Sequence, residues 1–463
     1  MTSKKLQFYN TLARKKETFS PIRKDKVRMY TCGPTVYDYA HIGNLRAYVF
    51  ADILQKTLEY GGYKVKRVMN ITDIGHLSSD ADSGEDKMTK GLLREKKKLT
   101  LKNMRELAEF YTKKFKKDLE KLNVKIPKEI YFASDYVKED TELVQKLEKK
   151  EYTYKTSDGI YFNTSKMPDY GILWGGKREW KKEGARIVEN SEKKNPEDFA
   201  LWKFNSQIGF ESPWGKGFPG WHIECSAMGI KFLGEQFDIH TGGIDHIPIH
   251  HTNEIAQSEC ATGKKPFVRV WMHNNFLDIN NGEKMAKSGD SFITLRTITE
   301  KGISPIVYRF WLLMGHYRTK MNFNWEALEG AETALKRLYG LYMSLGEKIG
   351  KVDKEYQEKF KEFVFDDLDT PRALSLLWDV LKDEKISNAN KKATILDFDK
   401  VLGLDFANLK EEKISEAILK LVEEREEVRK NKDFKKSDEL RKKINSLGYE
   451  IEDKNSGYKI NKI

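Results

Sequence analysis

Cysteine is scarce in this sequence. Only Cys32, Cys225 and Cys260 occur among 463 residues, and they are widely spaced. An odd, scattered set excludes a disulfide scaffold and predicts a reducing compartment. No CxxC pair is present, so a metal site would have to be assembled from segments that are distant along the chain.

Long apolar runs are also missing. No stretch approaches the roughly 18 to 20 apolar residues that a membrane span needs. The first segment, MTSKKLQFYNTLARKKETF, has no apolar signal core. We therefore expect a soluble, cytoplasmic protein with no membrane partner.

Charge favours one class of partner only weakly. The net charge of +12 comes from 83 Lys and Arg residues against 71 Asp and Glu residues. A basic surface suits a polyanion such as nucleic acid, because phosphates attract it. Lysine-rich proteins are common, however, so the charge balance alone raises the odds of a nucleic-acid partner only slightly above even.

The order of patterns predicts a parallel sheet. DKVRMYTCGP reads as a strand, HIGNLRAYVFADILQKTLEYGG as an amphipathic helix, and YKVKRVMNITD as the next strand. FDIHTGGID is again a strand followed by a loop. Ligands of such sheets bind beyond the carboxyl ends of the strands. The loops expected to converge there contain Cys32, residues 72–73, residues 242–245 and residues 284–288.

The length predicts several domains, because one core rarely organises so many residues. From residue 304 onward the pattern is almost entirely helical, and it ends in a hairpin-like GYEIEDKNSGYKI. Between the two halves of the sheet lies a turn-rich insertion, with DYGILWGG as an expected strand piece. The predicted parts are 1–122 (first half of the α/β domain), 123–200 (insertion), 201–303 (second half), 304–410 (helical bundle) and 411–463 (C-terminal module).

The helix expected to begin near Ile42 or Gly43 is a candidate phosphate site. Free backbone N–H groups and the positive end of the helix dipole suit triphosphate oxygens. Gly43 allows a base or ribose to approach the backbone closely, and His41 and Asn44 can donate hydrogen bonds. HIGN alone is a weak signal, since an ordinary helix start would look the same.

A second segment, GEKMAKSGDSF, strengthens the case. Lys284, Lys287 and Ser288 lie on a glycine-flanked loop, and two lysines three apart can stabilise the charge that develops on a leaving pyrophosphate. A basic loop by itself is usually just solvated. The similar DKMTKG at residues 86–91 does not follow a strand, and we predict that it is a solvated helix face.

Cysteine, histidine and glutamate residues form a candidate metal site. His250 and Glu254 are four apart and so share a helix face; His251 is three from Glu254 and could share it too. With Cys32 and Cys225 from other segments, two thiolates, an imidazole and a carboxylate would make a Zn²⁺ shell. Spacing leaves the choice between His250 and His251 open. Cys260 has no evident partner and is predicted to lie in the core.

The motifs together resemble a known family. HIGN and KMAKS resemble the HIGH and KMSKS signatures of class I aminoacyl-tRNA synthetases. MYTCGPTVYDYAHIGN, PGWHIECSAMG, HHTNEIAQSE and KMAKSGDSF resemble cysteinyl-tRNA synthetase in particular, and the similarity extends nearly end to end. Asn44 replaces the usual second histidine of HIGH; it keeps a donor but cannot carry charge.

The resemblance implies both fold and activity. It implies an α/β, Rossmann-like catalytic domain with an insertion, a helical domain and a small anticodon-binding module. It implies a monomer that uses ATP with Mg²⁺ to activate L-cysteine and then charges tRNA(Cys). It also implies one Zn²⁺ per chain, open to the substrate sulfur, which would reject serine because zinc prefers thiolate to hydroxyl.

Site residues follow from the resemblance position by position. It favours His250 over His251, giving the metal ligands Cys32, Cys225, His250 and Glu254. It assigns Gly33, Thr72 and Trp221 to the amino acid. It assigns ATP to Pro34, Thr35, His41, Gly43, Asn44, Asp245, Lys284, Lys287 and Ser288, of which His41, Asn44, Lys284 and Lys287 are the predicted catalytic residues.

Two alternatives remain at this point. An ATP-dependent ligase that joins cysteine to an amino sugar, of the mycothiol-pathway type, would share the zinc site and both ATP motifs but would lack a complete anticodon-binding end. A zinc-bearing RNA-binding protein would lack catalysis, which the presence of Lys284 and Lys287 argues against.

Overall fold

The structure is a computed structural model. It describes residues 5–76, 86–175, 191–279, 292–409, 416–454 and 457–462, together with the backbone of 283–284. The chain divides into two compact units, Met1–Ala407 and Asn408–Ile463, which are described separately. Within the described residues, no helix is both long and apolar enough to cross a membrane.

Sixteen strands and fourteen α-helices are described. The strands are β1 (Gln7–Asn10), β2 (Lys15–Thr18), β3 (Lys26–Thr31), β4 (Lys64–Ile71), β5 (Glu129–Phe132), β6 (Thr153–Lys155), β7 (Gly159–Phe162), β8 (Phe199–Phe204), β9 (Gly217–Pro219), β10 (Phe237–Gly243), β11 (Val268–Asn274), β12 (Leu277–Ile279), β13 (Glu283–Lys284), β14 (Met321–Phe323), β15 (Tyr449–Lys454) and β16 (Gly457–Lys462). The helices are α1 (Ile42–Tyr60), α2 (Lys87–Arg94), α3 (Leu101–Lys121), α4 (Val137–Lys149), α5 (Trp221–Leu233), α6 (His250–Thr262), α7 (Leu295–Glu300), α8 (Pro305–Leu313), α9 (Trp325–Met343), α10 (Lys354–Val364), α11 (Thr370–Lys382), α12 (Asn388–Leu402), α13 (Glu416–Lys430) and α14 (Phe434–Ser446).

A five-stranded parallel sheet forms the centre of the first unit. Its strand order is β11-β10-β3-β4-β5, and every neighbouring pair is parallel. The strands are buried on both faces; Val27, Met29 and Ile239 are fully inaccessible to solvent. The predicted α/β class with a parallel sheet is confirmed.

Helix α1 connects β3 to β4 across one face of this sheet. His41 caps its N-terminus, accepting the Asn44 N–H at Nδ1, and Gly61 ends it. Thirteen of its nineteen residues are buried, more than an amphipathic surface helix would bury. The helix is therefore a fixed core element, and its first turn is anchored at the carboxyl edge of the sheet.

The insertion contains an antiparallel sheet of its own. Its order is β6-β7-β8-β9, built around the buried Phe162 and Trp202. The prediction that DYGILWGG is a strand was wrong: residues 169–175 form consecutive turns, with Gly171 and Gly175 at positive φ. Left-handed glycines suit a turn and interrupt a strand.

Helices α8 to α12 belong to the first compact unit. Arg309 on α8 is fully buried and pairs with Asp52 on α1, with 2.7 Å from Nη2 to Oδ2. Its other nitrogens donate to the carbonyls of Leu122, Asn123 and Leu402. One guanidinium therefore joins the helical region to the sheet domain.

The second unit has a small core of its own. Ile418, Val422, Ile444 and Ile451 form it, contributed by α13, α14 and β15. Arg425 makes a two-pronged ion pair with Asp453, at 2.7 and 2.9 Å. Strands β15 and β16 pair antiparallel as the predicted terminal hairpin.

Candidate active site

A cavity of about 370 Å³ opens at the carboxyl edge of the parallel sheet. This is where β3, β4 and β10 end, as expected for an open α/β sheet. Of the residues predicted from the sequence to form the site, eleven line the cavity: Cys32, Gly33, Pro34, Thr35, His41, Gly43, Asn44, Trp221, Cys225, Asp245 and His250.

A cluster of metal-ligating side chains lies at one end of this cavity. One ligand atom each from Cys32, Cys225, His250 and Glu254 lie within 4.8 Å of one another. Glu254 Oε1 lies 3.1 Å from His250 Nε2 and 4.0 Å from the Cys32 sulfur. Helices α5 and α6 pack against each other and present Cys225, His250 and Glu254, while Cys32 follows β3. The structure thus brings together the four residues predicted as metal ligands.

Two further donor sets overlap this one. Cys32, His246, His250 and His251 form the first, and Cys32, His240, His251 and Glu254 form the second. His251 Nε2 lies 3.3 Å from the Cys32 sulfur, as close as a ligand partner would be. The structure therefore places both His250 and His251 at the cluster, and the choice between them as a ligand stays open, as it did from their spacing in the sequence.

Most of the histidines around this cluster were not predicted from the sequence. His240 Nε2 contacts Glu254 Oε2 at 2.9 Å, and His251 Nδ1 contacts His273 Nε2 at 2.7 Å. His222 Nδ1 lies 3.0 Å from His250 Nδ1. A signal was present: DIHTGGIDHIPIHH holds four of the nine histidines of the chain. This signal was not used because residue spacing was considered only within the helix that begins at His250, whereas His240 lies on β10 and His273 on β11.

Electrostatics at the cluster favour a metal-binding form of Cys32. Burial alone would raise the pKa of this thiol, but a hydrogen bond from Cys225 and the imidazoles of His251, His240 and His250 hold it well below its usual range. Burial and the neighbouring Cys32 raise the pKa of Cys225. Burial tends to lower the pKa of His250, yet Cys32 and Glu254 raise it to about 10. A thiolate, the form that binds metals, is thus favoured at Cys32.

The indole of Trp221 forms one wall of the cavity beside the cluster. It stacks on His76, with ring centroids 3.9 Å apart, and on His250, at 4.2 Å. Lys87 contacts His76 Nε2, and because an ammonium only donates, the Nδ1 atom carries the proton that it shares with Thr35 Oγ1. The indole therefore stacks on an imidazole whose two nitrogens are both hydrogen-bonded, to Thr35 and to Lys87.

Lys87 also corrects a prediction. DKMTKG was expected to be a solvated face, yet Lys87 lines the cavity, and Met88 and Gly91 are buried. Gly91 lies so close to Tyr37 that an added Cβ would come within 3.1 Å of its backbone. Asp86 caps the N-terminus of α2 by accepting the N–H of Thr89, and Lys87 follows it as the first helical residue.

Thr72, predicted to contact the amino acid, does not line the cavity. It is 1% exposed, and its backbone pairs with the loop after β3: its N–H donates to Pro34 and its carbonyl accepts from Val36. Asn70, two residues earlier on β4, lines the cavity instead. The hydroxyl of Thr72 is bonded to Glu224 and Asn70 instead, and this keeps its side chain within the protein interior.

The first turn of α1 differs from expectation as well. The N–H of Ile42 donates to the carbonyl of Ile293, and that of Asn44 to His41 Nδ1. These groups were predicted to be free for phosphate. A cap provided by the preceding histidine satisfies one of them, and the segment before α7 satisfies the other.

Comparison with known proteins identifies the family. Residues 18–333 match the family described as tRNA synthetases class I (C) catalytic domain. A protein of Treponema denticola named "Cysteine--tRNA ligase" is 47% identical, over 97% of this chain and 98% of its own. "Cysteine--tRNA ligase 1" of Burkholderia lata is 43% identical over 98% of this chain and 96% of its own. The chain belongs to the cysteine–tRNA ligase family.

A solved structure supports the same fold. Mycobacterium tuberculosis methionyl-tRNA synthetase in complex with methionyl-adenylate is similar with a TM-score of 0.55, covering 82% of this chain and 90% of that one. Its sequence identity is 14%, so the likeness concerns the fold alone.

In this member of the cysteine–tRNA ligase family, the predicted nucleotide residues fall into two groups. The first lies on the cavity wall, as described above. In the second, Lys284 is placed by its backbone alone, paired with Asp278 across β12 and β13. Lys287 and Ser288 lie outside the described residues.

Proposed function

We propose that this chain is a cysteine–tRNA ligase, which activates L-cysteine with ATP and transfers it to the terminal ribose of tRNA(Cys). The observation that carries the proposal is a single cavity that joins the donor cluster to the start of α1: its lining includes Cys32, Cys225 and His250 as well as His41, Gly43 and Asn44. Near full-length similarity to relatives bearing that name supports it. The amino-sugar ligase receives less support, because the similarity extends through the C-terminal module.

The donor set fits Zn²⁺. Two sulfurs, an imidazole nitrogen and a carboxylate oxygen are ligands that zinc accepts in a tetrahedral site. Cys32, Cys225, His250 and Glu254 would hold it, and His240 would orient Glu254 from behind. The bound metal would supply a soft Lewis acid facing the cavity, which favours a thiolate over a hydroxyl. Serine could thereby be excluded without a separate editing site.

Protein groups around the cavity have distinct tasks in this proposal. Gly33 and Trp221 enclose the amino acid, with Thr72 acting from behind the wall. His41, Asn44, Lys284 and Lys287, with Ser288, stabilise the triphosphate. Pro34, Thr35, Gly43 and Asp245 contact the nucleotide, Asp245 on the ribose side.

The reaction needs no side-chain nucleophile. The cysteine carboxylate attacks the α-phosphorus of ATP, a mixed anhydride forms, and pyrophosphate leaves with Mg²⁺. The terminal ribose hydroxyl of the tRNA then attacks the acyl carbon and releases AMP. The contributions of the chain are positioning and stabilisation of the developing charge.

The second compact unit would contribute to tRNA recognition. Its described surface carries many lysines, among them exposed Lys430, Lys432, Lys435 and Lys436. We propose that 411–463 binds the anticodon region, and that the enzyme acts as a monomer in the cytoplasm. The five-part division of the chain stays a prediction.

Two assays test the function. Cysteine-dependent exchange of labelled pyrophosphate into ATP should occur, with serine at equal concentration giving none. Charging of a tRNA(Cys) transcript should follow. Exchange without charging would favour the amino-sugar ligase, and absence of both would favour a binding protein.

A further inference from the structure

Glu224 is a buried carboxyl that none of the roles above uses. It lies on α5 between Trp221 and Cys225, fully inaccessible to solvent, and it does not line the cavity. Its Oε1 atom has no hydrogen-bond partner among the described residues. Burying such an atom costs about 1–3 kcal/mol, so a leucine would be cheaper here if packing were the only requirement.

The other oxygen of Glu224 begins a chain of three hydrogen bonds. Thr72 Oγ1 donates to Glu224 Oε2 at 2.9 Å, and Asn70 Nδ2 donates to Thr72 Oγ1 at 3.0 Å. Asn70 Oδ1 then accepts the N–H of Gly33 at 2.8 Å. The chain runs from α5, across the end of β4, to the loop after β3, and Glu224, Thr72 and Asn70 are each at most 1% exposed.

This chain sets the orientation of an amide that could otherwise turn over. A threonine hydroxyl has one proton, and here it goes to Glu224, so Thr72 Oγ1 can only accept from Asn70. The NH₂ group of Asn70 must then face Thr72, which leaves its oxygen facing Gly33. Without an acceptor at position 224, the Thr72 hydroxyl could donate to Asn70 instead. The side-chain amide of Asn70 would then turn over, and its NH₂ group would face the backbone N–H of Gly33, where no hydrogen bond can form.

The Gly33 peptide is packed too closely to accommodate a flipped Asn70 amide. A Cβ at this position would lie 1.5 Å from the carbonyl oxygen of Asn70, so the two backbones are already as close as glycine permits. Cys32 is the preceding residue, and both line the cavity. A shift of the Gly33 peptide would therefore alter the end of the cavity that holds the amino acid.

We propose that Glu224 is a positioning residue for the amino acid, acting through Thr72 and Asn70 on the Gly33 peptide. The inference rests on the proposed function and explains how Thr72 can matter without lining the cavity. The role needs only an acceptor oxygen at position 224, so glutamine should replace glutamate, whereas leucine should not.

The test compares Glu224→Leu with Glu224→Gln. The leucine variant should raise the KM for cysteine in pyrophosphate exchange about 10- to 100-fold, the range typical of groups that support a ligating residue. Its KM for ATP and its zinc content should stay those of the wild type. The glutamine variant should stay within about threefold of the wild type in all three quantities.

A matched control and a second pair of variants keep the test decisive. Asp140 on α4 is another fully buried carboxyl, and its two oxygens make no hydrogen bond among the described residues, so Asp140→Leu removes a buried carboxyl outside the chain of bonds and should leave the KM for cysteine unchanged. If Glu224→Leu fails to fold, the KM for cysteine is compared between Thr72→Val and Thr72→Ser, which tests the same chain of hydrogen bonds. Thr72→Val combined with Glu224→Leu should be no worse than either change alone.

Several outcomes would overturn the proposal. They are equal impairment in the glutamine and leucine variants, an equal rise in the KM for ATP, loss of zinc from Glu224→Leu, or additive effects in the double variant. Calorimetric binding of cysteine is measured in parallel. A wild type that binds cysteine but shows no exchange would refute the proposed function, while the variants would still decide the positioning role.

Discussion

Two buried groups of charged side chains in the first compact unit are built in opposite ways. Around Arg309, Asp52 accepts hydrogen bonds from Arg309, Lys56 and the Lys125 N–H, and none of these side chains has a buried atom without a partner. Around Glu254, by contrast, His240 Nδ1 and His246 Nδ1 are buried and unpartnered among the described residues. The first group closes on itself and holds the fold, whereas the second leaves donor and acceptor atoms for a ligand.

The largest expected effect comes from breaking the closed group. Arg309→Met should lower the free energy of unfolding by about 3–5 kcal/mol, because it removes one of the two cations that pair with the buried Asp52 and the donor to the carbonyls of Leu122, Asn123 and Leu402. Denaturant unfolding of the first unit measures this. Zinc content and the KM for cysteine should not change in the folded protein.

A surface arginine provides the control. Arg296 makes a comparable 2.7 Å pair with Glu300, but its side chain is 73% exposed. Arg296→Met should leave the unfolding midpoint where it is. If Arg309→Met unfolds at the same midpoint as well, the closed group does not hold the fold.

Breaking the open group should affect function instead. Glu254→Gln exchanges a carboxylate ligand for a weaker amide and disturbs the contacts to His240 and His250. Cysteine-dependent pyrophosphate exchange should fall at least about 100-fold, together with zinc content measured by elemental analysis. Glu259→Gln, on the same helix but bonded to the Phe267 N–H, should keep both. Full zinc content in Glu254→Gln would remove this residue from the ligand set.

The contrast between the two groups also shows how far the sequence could lead. The parallel sheet and the helix after β3 were predictable because the spacing of apolar residues in a helix and the apolar runs of buried strands are visible in the local sequence. Cys32 and Cys225 were predictable because cysteine is scarce, and Glu254 because it shares a helix face with two adjacent histidines. The choice of His250 over His251 came from the family resemblance. The residues that support these ligands were not predictable, because His240, His273 and Asn70 reach the site through the sheet and Lys87 reaches it through the packing of α2, neither of which the local sequence specifies.

Contacts between distant segments of the chain were the other limit. Thr72 was predicted to contact the amino acid, yet the structure turns its hydroxyl to Glu224, a residue 152 positions away in the sequence. The closed group around Arg309 could not be predicted for the same reason, because Arg309 and Asp52 are 257 residues apart.

A smaller effect should appear as a pH dependence of the closed group. Burial and the neighbouring Arg309 lower the pKa of Lys56 to about 8, below the value near 10.5 expected for an unfolded chain. Between these two values the unfolded state binds more protons, so stability contributed by Lys56 rises with pH and is lost as pH falls through 8.

Lys56→Met removes this titration. The difference in unfolding free energy between the wild type and the variant should therefore grow in favour of the wild type by about 1–3 kcal/mol from pH 8 to 10.5. Chemical unfolding at several pH values measures it. A difference that stays constant over this window would show that Lys56 keeps its ordinary pKa inside the closed group.

The smallest effect is expected at Cys260, which belongs to neither group. It was predicted to lie in the core, but it is only partly buried, and burial raises the pKa of its thiol to about 11. A protonated thiol is a poor metal ligand. Cys260→Ser should thus keep zinc content and change cysteine-dependent exchange by less than about twofold, as most substitutions away from a site do. Loss of zinc from this variant would show that the metal is held by a set of ligands other than the one around Glu254. The open group would then have to be defined by different residues.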